Sequence, residues 1–141
     1  MTEPGLPRAA GRVGLGTAPL GGLFARVDDD EARATVDRAW ELGVRLFDTA
    51  PLYGSGLAEA RLGKALQDRP RAEYELSTKV GRLLCPGAPD PIFHGALPLA
   101  PVFDFSGEGM LSSLTESLER LGLDRVDTVF VTIPRDRSNR P

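Results

Sequence analysis

G-V-R-L-F-D-T-A-P-L-Y-G, residues 43–54, is the stretch on which the reading of the fold turns. Gly43 stops a periodic segment, V-R-L-F is a short apolar run, and Asp48 closes it before a turn with Pro51 and Gly54. A strand entered from a helix and left through a polar residue is one joint of an alternating α/β chain. The pattern repeats on both sides. Upstream, D-D-D-E (28–31) offers an N-cap and acidic residues suited to a helix's positive end. Ala32, Val36, Ala39 and Trp40 then recur on one helical face up to Leu42. Before that helix, R-V-G-L-G-T-A-P-L-G-G (12–22) reads as a short strand running into a glycine loop, preceded by a Pro/Gly-rich, flexible segment, 1–11.

Downstream, Ala58, Leu62, Ala65 and Leu66 mark a second helix that ends before Pro70, and Y-E-L-S-T-K-V (74–80) is a third strand. Residues 81–105 read as one long loop, of a length that compact domains reserve for functional or mobile segments. Leu111, Leu114, Leu118 and Leu121 predict one apolar face of a third helix ending at Gly122, and Val126 to Val131 a fourth strand. Strand and helix thus alternate, which predicts right-handed crossovers and a parallel sheet. The joint helix–Leu–Gly–strand occurs twice, in W-E-L-G-V-R-L-F-D and L-E-R-L-G-L-D-R-V-D-T-V. The pattern leaves two architectures open: a small doubly wound sheet, or part of a (β/α)8 barrel. No G-x-G-x-x-G opens a helix and no G-K-[ST] occurs, so the common nucleotide loops are absent.

Composition narrows the function classes. The 141 residues are 41% hydrophobic and 26% charged, with a formal charge of −3, so nothing points to nucleic acid. No apolar run approaches the ~20 residues of a membrane helix. M-T-E-P-G-L-P-R lacks the apolar core of a secretory signal, and the expectation is a cytoplasmic protein. A single cysteine, Cys85, rules out an internal disulfide and multi-cysteine metal sites, and no metal centre is expected.

Three polar residues stand where apolar strands run out: Asp48, Tyr53 just beyond it, and Lys79 closing E-L-S-T-K. In parallel α/β folds the C-terminal strand ends form one rim, where active sites gather. A lysine beside a tyrosine stabilises the phenolate, and a carboxylate orients the lysine. Such a tyrosine can give a proton to a carbonyl oxygen or take one from a hydroxyl. Other charged and aromatic residues carry simpler readings. Trp40 packs the first helix on the sheet and is not implicated in a site; Glu59 and Arg61 serve as dipole compensation and surface charge; Cys85 is inert; His94 is a solvated loop histidine.

G-V-R-L-F-D-T-A-P-L-Y-G-S-G-L-A-E-A-R-L-G-K-A-L followed by S-T-K-V-G resembles the aldo/keto reductase family. L-G-T-A-P-L-G-G and V-F-D-F-S-x-x-G-M-L more narrowly resemble its aldose (fucose-type) 1-dehydrogenase branch, which oxidises a sugar at the anomeric carbon. The resemblance implies a (β/α)8 barrel and hydride transfer between NADP or NAD and a small carbonyl or sugar substrate. It implies Tyr53 as general acid/base, Lys79 as its activator and Asp48 as the lysine's partner. Gly16 and Thr17, with Asp48, would lie at the nicotinamide. The family's catalytic histidine, at the end of the fourth strand, corresponds to Thr132, which can hydrogen-bond a substrate oxygen but cannot titrate near neutral pH.

By the same resemblance, residues 1–141 form a single incomplete domain: the N-terminal half of a barrel, about four parallel strands with three helices. The barrel-lining face would expose Val129, Val131 and Leu76, and two copies could pair through it as a homodimer. Residues 133–141 read as an aberrant polar tail. Thr-Ile-Pro codons, shifted by one base behind a C, can encode His-Asp-Pro, so a change of reading frame near Thr132 is the expected origin of that tail.

Overall fold

The computed structural model describes residues 13–133. The segment 1–11 and nearly all of the 133–141 tail lie outside them. Asp28 makes the first helix possible: its carboxylate accepts from the Glu31 amide at 2.8 Å while the Glu31 side chain accepts from the Asp28 amide at 3.1 Å, a reciprocal cap. Helix α1 (Asp29–Glu41) follows, with Ala32, Val36 and Trp40 buried as the 3.6-residue period requires. Strands β1 (Gly14–Gly16) and β2 (Leu46–Asp48) flank it in sequence, and α2 (Leu57–Leu66) leads to β3 (Glu75–Val80). Helix α3 (Gly107–Leu121) precedes the last strand, β6 (Thr128–Val131).

These four strands form one parallel sheet in the order β1-β2-β3-β6, with Gly16 beside Asp48, Asp48 beside Ser77, and Ser77 beside Thr128. The three helices cover one face. Phe47, Leu76, Leu62, Leu66 and Val36 are fully buried between sheet and helices, and Trp40 stacks on Phe47 with ring centroids 6.5 Å apart, as the sequence placed it. The opposite face, lined by Gly14, Gly16, Leu46, Asp48, Ser77, Lys79, Thr128 and Phe130, is open. This is an α/β fold, a partial barrel with four parallel strands and three helices. Among the described residues no helix is long and apolar enough to cross a membrane.

Five expectations change. Leu76 is fully buried on the helix side, not on the barrel-lining face; the period of two along β3 puts Ser77 and Lys79 on the open face instead. Val129 and Val131 pair with Thr78 and Val80 and share that helix-side parity, so their exposure arises because, among the described residues, no helix covers β6. The stretch 81–105 is not a bare loop: β4 (Arg82–Pro86) and β5 (Leu99–Phe103) pair antiparallel within it. In α3 the residues packed inward are Gly109, Ser113, Ser117 and Leu121, four apart, while Leu111 is exposed. Small side chains let the helix approach the β3–β4 edge closely, so the inward face is rotated from the leucine stripe: Leu121 stays buried, Leu114 and Leu118 are half-buried and Leu111 is exposed.

The pair Glu59 and Arg61 is not surface charge either. The Glu59 carboxylate is fully buried in an ion pair with Arg120 of α3 at 2.9 Å and accepts from the Thr78 hydroxyl at 3.2 Å. Arg61 donates to the carbonyls of Leu20 and Val27 at 2.6 and 2.9 Å and pairs with Asp29, fastening the β1–α1 connection to α2.

Candidate active site

Strand parity and the shared rim bring three sequence-expected residues together. Asp48 is the last residue of β2 and Lys79 the penultimate residue of β3, both on the open face. The Lys79 ammonium lies 2.9 Å from Asp48 Oδ2 and donates to the Thr49 carbonyl at 3.0 Å. Ser77 donates from Oγ to Asp48 Oδ1 at 2.6 Å, so both carboxylate oxygens are engaged and the carboxylate plane is fixed. Tyr53 sits above: the ammonium is 5.1 Å from its ring centroid, within cation–π range.

The tyrosine's position comes from backbone geometry. After Asp48 the chain makes tight turns, with the Tyr53 amide donating to the Ala50 carbonyl and the Gly56 amide to Pro51. Gly54, Ser55 and Gly56 are all left-handed, at φ 66°, 55° and 92°, a run that two glycines make affordable in strain. Ser55, the one non-glycine with positive φ among the described residues, donates from its hydroxyl to the Leu99 carbonyl at 2.7 Å, and the Leu97 amide donates to Gly54. The tyrosine turn is thereby tied to the β4–β5 hairpin. Phe93, buried in the hairpin's connection, faces the Tyr53 ring at 6.1 Å.

A cavity of about 200 Å³ opens at this rim, lined by Ala50, Pro51, Leu52, Tyr53, Lys79, Val80, Arg82 and Thr132. Thr132 therefore shares the cavity with Tyr53 and Lys79. Gly16 lies on the open face, and a Cβ placed on it would meet nothing within 4 Å. Thr17 differs: it is fully buried, and both its amide and its hydroxyl donate to the Asp48 carbonyl, at 3.0 and 2.9 Å. It locks the end of β1 to the end of β2. Trp40 packs on the helix side of the sheet, and His94 and Cys85 are exposed.

Two residues at the site went unnoticed in the sequence, Ser77 and Arg82. Ser77 carried a usable signal, since two residues before Lys79 on a strand means the same face. Arg82 carried none, because the strand that holds it was not legible.

The model of the aldo/keto reductase family matches residues 12–138. The chain is 44% identical to a D-threo-aldose 1-dehydrogenase from a Pseudomonas species, over 94% of this chain and 44% of that protein. It is also 44% identical to an L-galactose dehydrogenase from Arabidopsis thaliana, over 82% of this chain and 32% of that one. Among solved structures, a glycerol dehydrogenase from Gluconobacter oxydans superimposes with a TM-score of 0.68 at 30% identity, covering 89% of this chain and 36% of its own. A holo-form aldo-keto reductase from Bacillus halodurans gives 0.65 at 32% identity, over 84% and 35%. The chain spans less than half the length of each of these relatives. With the family's model matching nearly the whole sequence, the conclusion is that this chain belongs to the aldo/keto reductase family of oxidoreductases.

Proposed function

We propose that the Asp48–Lys79–Tyr53 cluster is the proton-transfer centre of a nicotinamide-dependent oxidoreductase acting on an aldose or another small aldehyde or ketone. The observation that carries this reading is the ion pair of Lys79 with Asp48, 2.9 Å long and held from the other side by Ser77, placed beneath the Tyr53 ring at the C-terminal rim of a parallel sheet. The D-threo-aldose 1-dehydrogenase resemblance favours a sugar, oxidised at its anomeric carbon.

The strand-end surface fits the nicotinamide end of NADP or NAD. Gly16 presents a side-chain-free patch of open sheet beside Asp48, and Thr17, buried beneath it, fixes the level of that strand end. When bound, the cofactor supplies or accepts the hydride. In the reduction direction, Tyr53 gives its phenolic proton to the carbonyl oxygen as charge builds there. The Lys79 ammonium stabilises the phenolate that remains, and Asp48 keeps the ammonium from turning away. In the oxidation direction, Tyr53 takes the proton of the substrate hydroxyl. Thr132 can donate to or accept from a substrate oxygen in the same cavity.

The test is a fluorescence titration of the purified chain with NADPH and NADH, followed by turnover with aldoses. Saturable binding and aldose turnover, abolished by Tyr53→Phe with cofactor binding retained, are expected. Turnover unchanged in Tyr53→Phe would refute the mechanism. A second reading is a non-catalytic half-barrel that pairs with a second copy through its open sheet; it is favoured by Leu46 and Phe130, 41% and 52% exposed on that face. It predicts a dimer by light scattering and no cofactor binding.

A further inference from the structure

Arg82 has no part in the proton chemistry above, yet it lines the same cavity as Tyr53, Lys79 and Thr132. It opens β4, opposite Phe103 in the hairpin register, and its guanidinium lies 4.7 Å over the Phe103 ring. Phe103 in turn stacks on Phe105, with centroids 5.5 Å apart. From the helix side the Ser113 hydroxyl donates to the Arg82 carbonyl at 2.9 Å, which fixes the main chain there. Support of this kind, beside a cavity the side chain lines, restricts its mobility in advance of any ligand.

The charge of Arg82 is uncompensated by contact. Lys79, the other cation of the cavity, is neutralised by Asp48. Among the described residues no carboxylate forms an ion pair with Arg82, and its buried Nε has no hydrogen-bond partner. Burial holds the guanidinium below the ordinary arginine value, an effect the nearby charges of Asp90 and Tyr53 partly offset. Nε is sealed off, but the two terminal nitrogens are not buried and have no protein partner among the described residues, and the group that matches such a pair of charged donors is a planar or tetrahedral oxyanion offering acceptors to both.

We propose that Arg82 is the specificity-determining residue of this site, binding a carboxylate or phosphate carried by the carbonyl substrate away from its reacting carbon. The inference rests on the reading of the Tyr53–Lys79 cavity as the substrate site. It adds a substrate class: aldoses bearing an acidic group, such as uronates or sugar phosphates, over their neutral counterparts.

The test uses the whole chain, ¹⁵N-labelled, with three probes that differ only at the sugar's far end: D-galactose, D-galacturonate and D-galactose 6-phosphate. The arginine Nε–H signal absent from Arg82→Met identifies Arg82. That signal should shift on addition of an acidic probe, with at least about tenfold tighter binding than D-galactose, the factor expected of a charge-assisted hydrogen bond. The two acidic probes show whether carboxylate or phosphate is the better fit. Arg82→Met should erase the preference, and Arg82→Lys should retain part of it. Equal affinity for all three probes in the unsubstituted chain overturns the proposal, as does no binding of any of them, or a preference that survives in Arg82→Met. Acid-selective binding without turnover would remove the proton-transfer reading and leave this one standing; turnover of neutral aldoses without selectivity would do the reverse.

Discussion

Arg120→Met should destabilise the fold more than most single changes, because of what it leaves behind. Glu59 Oε1 receives both Nε and a terminal nitrogen of Arg120, at 3.0 and 2.9 Å, and Oε2 receives only the Thr78 hydroxyl at 3.2 Å. Glu59 is fully buried, so without Arg120 a carboxylate stays in the interior with one neutral hydrogen bond. Breaking a buried pair from one side costs about 3–5 kcal/mol. The Arg120 side chain is 18% exposed, so water can reach part of the vacated space, and the lower end, about 3 kcal/mol, applies. With a urea slope of about 1.5 kcal/mol/M, the unfolding midpoint should fall by about 2 M, followed by circular dichroism. Replacing both partners, Glu59→Leu with Arg120→Met, should recover most of the loss, since no charge remains to be buried. A loss under about 1 kcal/mol for Arg120→Met, or a double variant no better than the single one, would refute the reasoning.

Two further outcomes follow from the packing and the charges. Gly63→Ala should cost about 1–3 kcal/mol in the same assay, because a Cβ there collides with the Leu121 backbone where α2 crosses α3, and neither helix can shift without moving the other. Asp127 titrates with a stability signature: burial alone would raise its carboxyl, but hydrogen bonds from Arg71 and from the Leu76 amide, with the charges of Arg71 and Arg125, hold it below the ordinary carboxylate value. A carboxyl depressed on folding adds stability above its unfolded value and loses it as pH falls through the folded one, so unfolding midpoints should drop below about pH 4. Asp127→Asn should flatten that part of the profile.

The parallel sheet and its rim were legible in the sequence because each is written in local signals. The capping residues 28–31, the face of Ala32, Val36 and Trp40, and the apolar run ending at Asp48 all point the same way, and the structure agrees. Asp48 and Lys79 could be placed near each other because both stand at C-terminal ends of strands in one parallel sheet. What escaped was set by tertiary context. The β4–β5 hairpin was hidden by prolines at Pro86 and Pro101, which normally argue against a strand but are tolerated in an isolated two-stranded ribbon. The inward face of α3 was only partly legible because close helix approach selects serine and glycine: the apolar stripe located Leu121 but not Gly109, Ser113 and Ser117. Glu59 looked like a helix-start charge, and only the fold shows Arg120 arriving from a helix 61 residues away.

The run of left-handed residues after Tyr53 divides residues 48–56 into two kinds of information. In D-T-A-P-L-Y-G-S-G, Asp48 and Tyr53 face the rim, whereas Gly54, Ser55 and Gly56 are spent on bending the chain and on holding the hairpin. The motif therefore encodes a shape as well as a cluster of polar groups: a side chain added at Gly54 or Gly56 would displace Tyr53 and the β4–β5 hairpin together.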